Sequence, residues 1–304
     1  MTFLSKIKNR EKWVGRGILC VEVLVLGAFL ICQFVIWITT PRPAPAPPSD
    51  SSSAPSPAPT PAPASQPPPP SHVDVSLPLK RGNFIVFHYV PTDSNLAAHP
   101  KALIIFGSGD GGPQGWEDRV CSALRDYGCE VISFNFNSYA ATDYDLDTLQ
   151  QDFNTVAQNF LSQHKDNPPP LIVGGWSMGA AQAVPVAGGP HPPPGLVGLL
   201  LVSPESRGRY GLHDSDRMNI LPTGNGTFAL QDFANNLGHL RVAQWSANLD
   251  VIGSTAWLQA LAAPHKEFDF PLAMHDYNGA SDAFLAALKD SLDWILSSAP
   301  PASK

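Results

Sequence analysis

The sequence predicts an α/β fold, a mostly parallel sheet with helices on both faces, preceded by one transmembrane helix. Three observations predict it. From residue 100 onward, short apolar runs alternate with amphipathic segments, the pattern of parallel strands joined by crossover helices. A glycine-bracketed serine, Gly175-Trp176-Ser177-Met178-Gly179, sits between the apolar run Leu171-Ile172-Val173 and the small-residue segment Ala180-Ala181-Gln182-Ala183-Val184. That reads as strand, tight turn and helix with serine at the apex. Near the N-terminus, Ile18 to Thr40 is apolar and broken only by Glu22 and Gln33, long enough to span a bilayer, which takes about 20 residues.

Residues 1–17 form a basic tail, with Lys6, Lys8, Arg10, Lys12 and Arg16 against one acid, Glu11. A basic flank stays cytoplasmic. The expectation is therefore a single-pass inner-membrane protein whose remaining chain lies in the periplasm. A cleaved signal peptide competes with the anchor over 18–40, but its apolar core would be shorter, about 7–15 residues. The one nearby small-x-small site, Ala44-Pro45-Ala46, is followed by Pro47, which opposes cleavage, so an uncleaved anchor is favoured. No small residue precedes Cys20 or Cys32, and lipoprotein processing is not expected. Residues 41–72 form a linker, with 14 prolines in 41–70 and alanine and serine filling most of the rest. Such a segment cannot bury a core and reaches up to about 90 Å at about 3.1 Å per residue.

Residues 73–299 suit one domain with a substantial core. Val73-Asp74-Val75-Ser76-Leu77 and Asn83 to Tyr89 alternate as an antiparallel pair. Strands at Leu103–Phe106, Glu130–Phe136, Leu171–Gly174 and Gly198–Val202 then alternate with helices near Trp116–Tyr127 and Leu146–Gln163 and with the helix after Ser177. Residues 205–236 have weak periodicity and are expected to cap the carboxyl ends of the strands, where ligands of such sheets bind. Asn225-Gly226-Thr227 is a formal glycosylation pattern, taken as chance. Leu240–Trp245 reads as a late strand, Thr255–Ala262 as helix-like, Phe268–Met274 as a last strand with Pro271 at a sheet edge, and Ser281–Leu296 as an amphipathic closing helix.

A serine lifted out of a strained turn needs a base and an orienting acid, which in this arrangement follow in the order serine, acid, histidine. His275 sits just past the last expected strand, whereas the other eight histidines fall in linker, loop, early-strand or helix-end positions. Asp250 follows the strand before it. Asp269 precedes the strand's end, and Asp276 adjoins the histidine, so that in extended chain its side chain points away. The expected catalytic set is Ser177, Asp250 and His275. Negative charge on a substrate oxygen would meet the amide of Met178 at a helix N-terminus and amides of the glycine-rich loop Gly107-Ser108-Gly109-Asp110-Gly111-Gly112, with Ser108 and Gly109 as donors. Asp110 would oppose an oxyanion and is assigned to bracing the loop or meeting a cationic substrate group; with Trp176 it makes up the expected substrate side. The loop lacks the Gly-Lys-Ser/Thr of a phosphate loop and the spacing of a dinucleotide fingerprint, so no cofactor is expected.

These residues resemble the bacterial VirJ/AcvB virulence-protein family of α/β-hydrolases. The likeness rests on Gly107 to Gly112 with Trp116, the elbow continuing to Pro185, and the strand end Leu201-Val202-Ser203-Pro204, and it covers residues 100–296. It implies the α/β-hydrolase fold and periplasmic hydrolysis of aminoacyl esters of phosphatidylglycerol by the elbow serine with an acid and a histidine. Pro113-Gln114-Gly115 is inserted before Trp116, Met178 replaces an expected aromatic residue, and the late acid and histidine surroundings look more like dienelactone-type hydrolases. A broader envelope esterase, lipase or thioesterase, or a non-catalytic envelope-binding protein on a hydrolase scaffold, stands beside that reading.

From residue 41 onward the chain carries 14 Lys plus Arg and 24 Asp plus Glu, a formal charge of −10. That disfavours nucleic acid and tolerates a cationic aminoacyl group. The expected partners are an ester substrate, with a phospholipid implied by the resemblance, and the membrane through the N-terminal helix. No clustered histidine or Cys-x-x-Cys motif suggests a metal. Cys121 and Cys129 form either a disulfide or two buried thiols.

Overall fold

A computed structural model describes residues 71–277 and 280–297. The basic tail, the anchor over 18–40 and all of the linker but Ser71 and His72 lie outside the described residues. Among the described residues, no helix is long and apolar enough to cross a membrane.

The described residues form ten strands, β1 (Val73–Leu79), β2 (Gly82–Tyr89), β3 (Leu103–Gly107), β4 (Glu130–Phe134), β5 (Leu171–Trp176), β6 (Leu196–Val202), β7 (Arg207–Arg209), β8 (Thr227–Ala229), β9 (Arg241–Ala247) and β10 (His265–Phe270). Helices are α1 (Ser94–Ala98), α2 (Gly115–Asp126), α3 (Phe136–Tyr139), α4 (Leu146–Leu161), α5 (Met178–Gly188), α6 (Asp214–Arg217) and α7 (Ser281–Leu296). Eight strands form one sheet in the order β1-β2-β4-β3-β5-β6-β9-β10, while β7 and β8 pair separately. β1 pairs antiparallel to β2 and β2 antiparallel to β4; the remaining neighbours are parallel.

The central strands are buried along their length because helices cover both faces. Alternation decides which face each residue serves. Leu103 and Ile105 of β3 join a cluster with Phe153 and Val156 of α4 and Ala180 and Val184 of α5. Ile104 and Phe106 point the other way, into a cluster with Val120 and Leu124 of α2 and Phe284, Leu288, Leu292 and Ile295 of α7. The helices begin where their sequences offer caps. Asp145 accepts the Thr148 amide at 2.8 Å, and Glu117 at the third position of α2 accepts the Gln114 amide at 2.8 Å.

Three expectations change, and one open alternative is resolved. The last strand is His265–Phe270, parallel to β9, rather than Phe268–Met274: Pro271 has no amide to continue the ladder, and Leu272 turns to φ 63°. The strand begun at Glu130 ends at Phe134, because the Asn135 side chain caps the short helix α3. Thr255–Ala262 contains only a 3-10 turn, Ala256–Ala260. Cys121 and Cys129 are free, buried thiols. Residues 205–236 hold the β7–β8 ribbon, α6 and a 3-10 segment, Leu230–Leu237.

Phe284 is fully buried and its ring meets those of Trp116, Trp245, Phe270 and Tyr277 at 4.8–5.8 Å. Phe284→Ala should lower unfolding free energy by about 3–5 kcal/mol, read as a shift in the urea midpoint at unchanged slope.

Candidate active site

Ser177 occupies the turn between β5 and α5 with φ 53° and ψ −117°, a backbone that costs a non-glycine residue about 1–3 kcal/mol. Three glycines impose it. A Cβ on Gly179 would overlap the carbonyl of Gly107 at the end of β3, and one on Gly175 would overlap the same carbonyl and the Gly179 backbone. The first turn of α5 is thereby pressed against the end of β3, and the chain can reach it from β5 only through a sharp reversal at 177. The turn is fastened by Ser177 N–H donating to the Val202 carbonyl and by Ala181 N–H donating to the Ser177 carbonyl, both at 2.9 Å. Met178 opens α5, and its amide donates to no protein acceptor among the described residues. It therefore presents part of the positive end of the helix.

Asp250 and His275 lie on the loops following β9 and β10. These loops are stapled together by Asn248 N–H to the Phe270 carbonyl at 3.2 Å and Leu249 N–H to the Ala273 carbonyl at 3.0 Å. Asp250 Oδ1 accepts the amides of Ile252 (2.8 Å) and Gly253 (3.0 Å), and Oδ2 lies 2.9 Å from His275 Nδ1. An ionised carboxylate only accepts, so Nδ1 carries the proton and Nε2 keeps a lone pair. The Asp250 side chain is 2% exposed. Burial pushes its pKa up, but the hydrogen bond and charge of His275, with the Gly253 and Ile252 amides, outweigh that and hold it at about 2. The Trp176 indole donates to the His275 carbonyl at 2.9 Å, and the two rings are 5.3 Å apart. Ser177 and His275 line the same cavity. Other histidines are engaged elsewhere: His88 and His164 each bond Glu130 at 2.7 Å, and His213 bonds Asp143 at 2.8 Å.

The glycine-rich loop differs from its expected use. Ser108 N–H donates to the Phe134 carbonyl at 2.9 Å, and Gly109 N–H donates to Glu117 Oε1 at 3.0 Å. Neither of these amides is free for an oxyanion. Asp110 is the loop residue on the cavity wall, and its own amide has no protein acceptor among the described residues. Glu117, which the sequence reading did not single out, is 1% exposed and clamps the loop through both oxygens. Burial pushes its carboxyl up to about 7, against the opposing pull of the Gln114 and Gly109 amides.

The cavity lies beneath the cap, whose residues between Glu205 and Pro222 line it opposite Ser177 and Met178. Its wall includes Asp110, Glu205, Asp216, Arg207 and Arg209. Arg209 is paired with Asp216 at 3.3 Å, and Arg207 Nε donates to the Pro222 carbonyl at 3.0 Å. Asp110 and Glu205 have no side-chain hydrogen bond or salt bridge among the described residues. Burial raises Glu205 to about 7, His275 pulling it down and Asp216, Asp110 and Asp250 pushing it up. Glu205 was missed from sequence, although its place just beyond the β6 strand end was a usable signal. Among the described residues, no cluster of three His, Cys, Asp or Glu could hold a metal.

The sequence matches the alpha/beta hydrolase family over residues 96–302, and it matches none of the curated proteins. The fold is similar to the esterase domain of a Rhodothermus marinus protein, at 16% identity and a TM-score of 0.55, covering 74% of this chain and 98% of that one. It is also similar to XC6422 from Xanthomonas campestris, described as an a/b serine hydrolase without lid, at 20% identity and a TM-score of 0.53, covering 76% and 98%. Thermogutta terrifontis esterase 2 aligns at 14% identity and a TM-score of 0.54, covering 77% and 97%. At these identities the likeness is one of fold.

A carboxyl raised from 4.5 to about 7 binds more protons folded than unfolded, so its contribution to stability falls as pH rises from 4.5 to 7 and stays lost above. Glu205→Gln should therefore leave Tm nearly unchanged near pH 4.5 and raise it at pH 8, measured by thermal denaturation across that range.

Proposed function

We propose, on the premise that this chain belongs to the alpha/beta hydrolase family, that it is a membrane-anchored periplasmic serine hydrolase cleaving an aminoacyl ester of phosphatidylglycerol. The observation that carries the hydrolase reading is the meeting, at one cavity, of a serine in a strained turn, an open helix-terminal amide and a carboxylate-oriented imidazole.

In this mechanism His275 Nε2 takes the Ser177 hydroxyl proton as Oγ attacks the ester carbonyl. Asp250 keeps the Nδ1 proton in place and stabilises the imidazolium that forms. The oxyanion receives the amides of Met178 and Asp110, the latter replacing the Ser108 and Gly109 donors. The imidazolium then protonates the departing glycerol oxygen, leaving an acyl-serine. Water, deprotonated by the same imidazole, attacks that acyl group, and its collapse releases the amino acid and restores the Ser177 hydroxyl.

The acyl group is assigned from charge. An aminoacyl ester carries an ammonium beside its carbonyl, and Asp110 and Glu205 line the cavity without a salt-bridge partner among the described residues. An ammonium between them would favour ionised Glu205 and offset the repulsion of the neighbouring acids. A neutral acyl chain would leave both carboxylates unpaired. Attachment to the membrane is supported by the apolar run over 18–40 and its basic flank.

Ser177→Ala should reduce turnover by at least about 10³-fold, and Asp250→Asn by about 10⁴-fold, both variants keeping a native far-ultraviolet circular dichroism spectrum; retained turnover in Ser177→Ala would reject the mechanism. Glu205→Gln should raise KM for alanyl- or lysyl-phosphatidylglycerol by about ten-fold, while hydrolysis of p-nitrophenyl acetate stays within about two-fold. Equal effects on both substrates would defeat the ammonium assignment and leave a broader esterase, lipase or thioesterase. A folded chain that fails to label at Ser177 with a fluorophosphonate would instead be a binding protein.

A further inference from the structure

Ten large apolar side chains are exposed among the described residues, and seven of them stand on three loops around the cavity mouth. Leu249 and Val251 bracket Asp250, and Leu272 and Met274 precede His275. The two loops that carry these four side chains are joined, since the Leu249 amide bonds the Ala273 carbonyl at 3.0 Å. Across the mouth the cap presents Met218, Ile220 and Leu221, on a segment whose Asn219 and Pro222 line the cavity wall with Ile252 and His275. Val251 is 97% exposed and Leu272 81%. Leu272 also has φ 63°, so backbone strain is tolerated where a large apolar side chain is left in water, a combination that packing within this domain does not explain. Residues 218–223 and 271–275 contain no Asp, Glu, Lys or Arg, and the one such residue in 248–254 is buried Asp250.

We propose that this uncharged apolar rim is a membrane-docking surface, which seats the cavity mouth on the lipid–water interface of a bilayer. The occupant is argued from the chain that precedes the described residues. An apolar run long enough to enter a bilayer, over 18–40, is followed by a proline-rich segment that reaches up to about 90 Å. That tether keeps the domain within reach of a bilayer surface, so even weak apolar contacts act at high effective concentration. Burial of Val251, Leu272 and their neighbours among headgroups and acyl chains then supplies favourable apolar area at about 25 cal/mol per Å². With no basic cluster in the rim, docking is apolar rather than electrostatic and resists salt. This contact is separate from the anchor. It rests on the hydrolase reading only for the direction from which an ester headgroup enters.

The test uses the full chain carrying Ser177→Ala, so that no turnover is involved. Cys20→Ser and Cys32→Ser confine a nitrobenzoxadiazole label to an introduced cysteine, because Cys121 and Cys129 are buried. Labels at Val251→Cys, Leu272→Cys and the distant reference Ile85→Cys, itself exposed, are compared on vesicles of phosphatidylethanolamine and phosphatidylglycerol with and without doxyl lipid. Docking predicts quenching about three-fold stronger at 251 and 272 than at 85, persisting at high salt. Equal quenching at all three sites overturns the proposal. So does a blue shift at 251 and 272 without quenching, which would mean cover by protein, such as a second copy.

Discussion

The close approach of α5 to the end of β3 is the constraint on which the site depends. It exists because Gly107, Gly175 and Gly179 leave no side chain between the two backbones. The same contact fixes the awkward dihedral angles of Ser177 and sets the first turn of α5 beside the glycine-rich loop. The placement of the Ser177 side chain and that of the Met178 amide are consequently one geometric fact. The parallel sheet beneath, buried on both faces, resists the relaxation that would release the strain.

Carboxylates around the cavity divide by environment. The Asp250 side chain is almost wholly buried, yet it stays ionised because two amides and an imidazole surround it. Glu117 has amides but no cation, and Glu205 has neither amides nor a paired cation; burial prevails in both. Of these three acids, Asp250 is thus held ionised while Glu117 and Glu205 are both shifted toward the protonated form. Glu117 serves the loop from behind, while Glu205 faces the space a substrate would fill.

Much of this arrangement was legible in the sequence. Ser177 could be found because strand, turn and helix signals meet at one glycine-bracketed residue, and Asp250 and His275 because chain order narrows the choice. The last strand was misread because the apolar residues Leu272 and Met274 resemble strand residues, although here they are exposed on a loop. Composition cannot distinguish an apolar residue that packs from one held out in water. Ser108 and Gly109 were reasonable donors by position alone, but where an amide points depends on acceptors brought in from afar, Phe134 across the sheet and Glu117 from α2. Glu205 lay in a stretch with no periodicity, and its significance comes from neighbours distant in sequence.

The β7–β8 ribbon shares no ladder with the main sheet. Its links to the body include the Gln182 amide donating to the Arg209 carbonyl at 2.6 Å, while Arg207 and the Arg209–Asp216 pair fasten the cap to itself. None of the hydrogen bonds that hold Ser177, Asp250 or His275 passes through residues 207–229. This lobe can therefore be lengthened, trimmed or exchanged while the geometry of Ser177, Asp250 and His275 stays as it is.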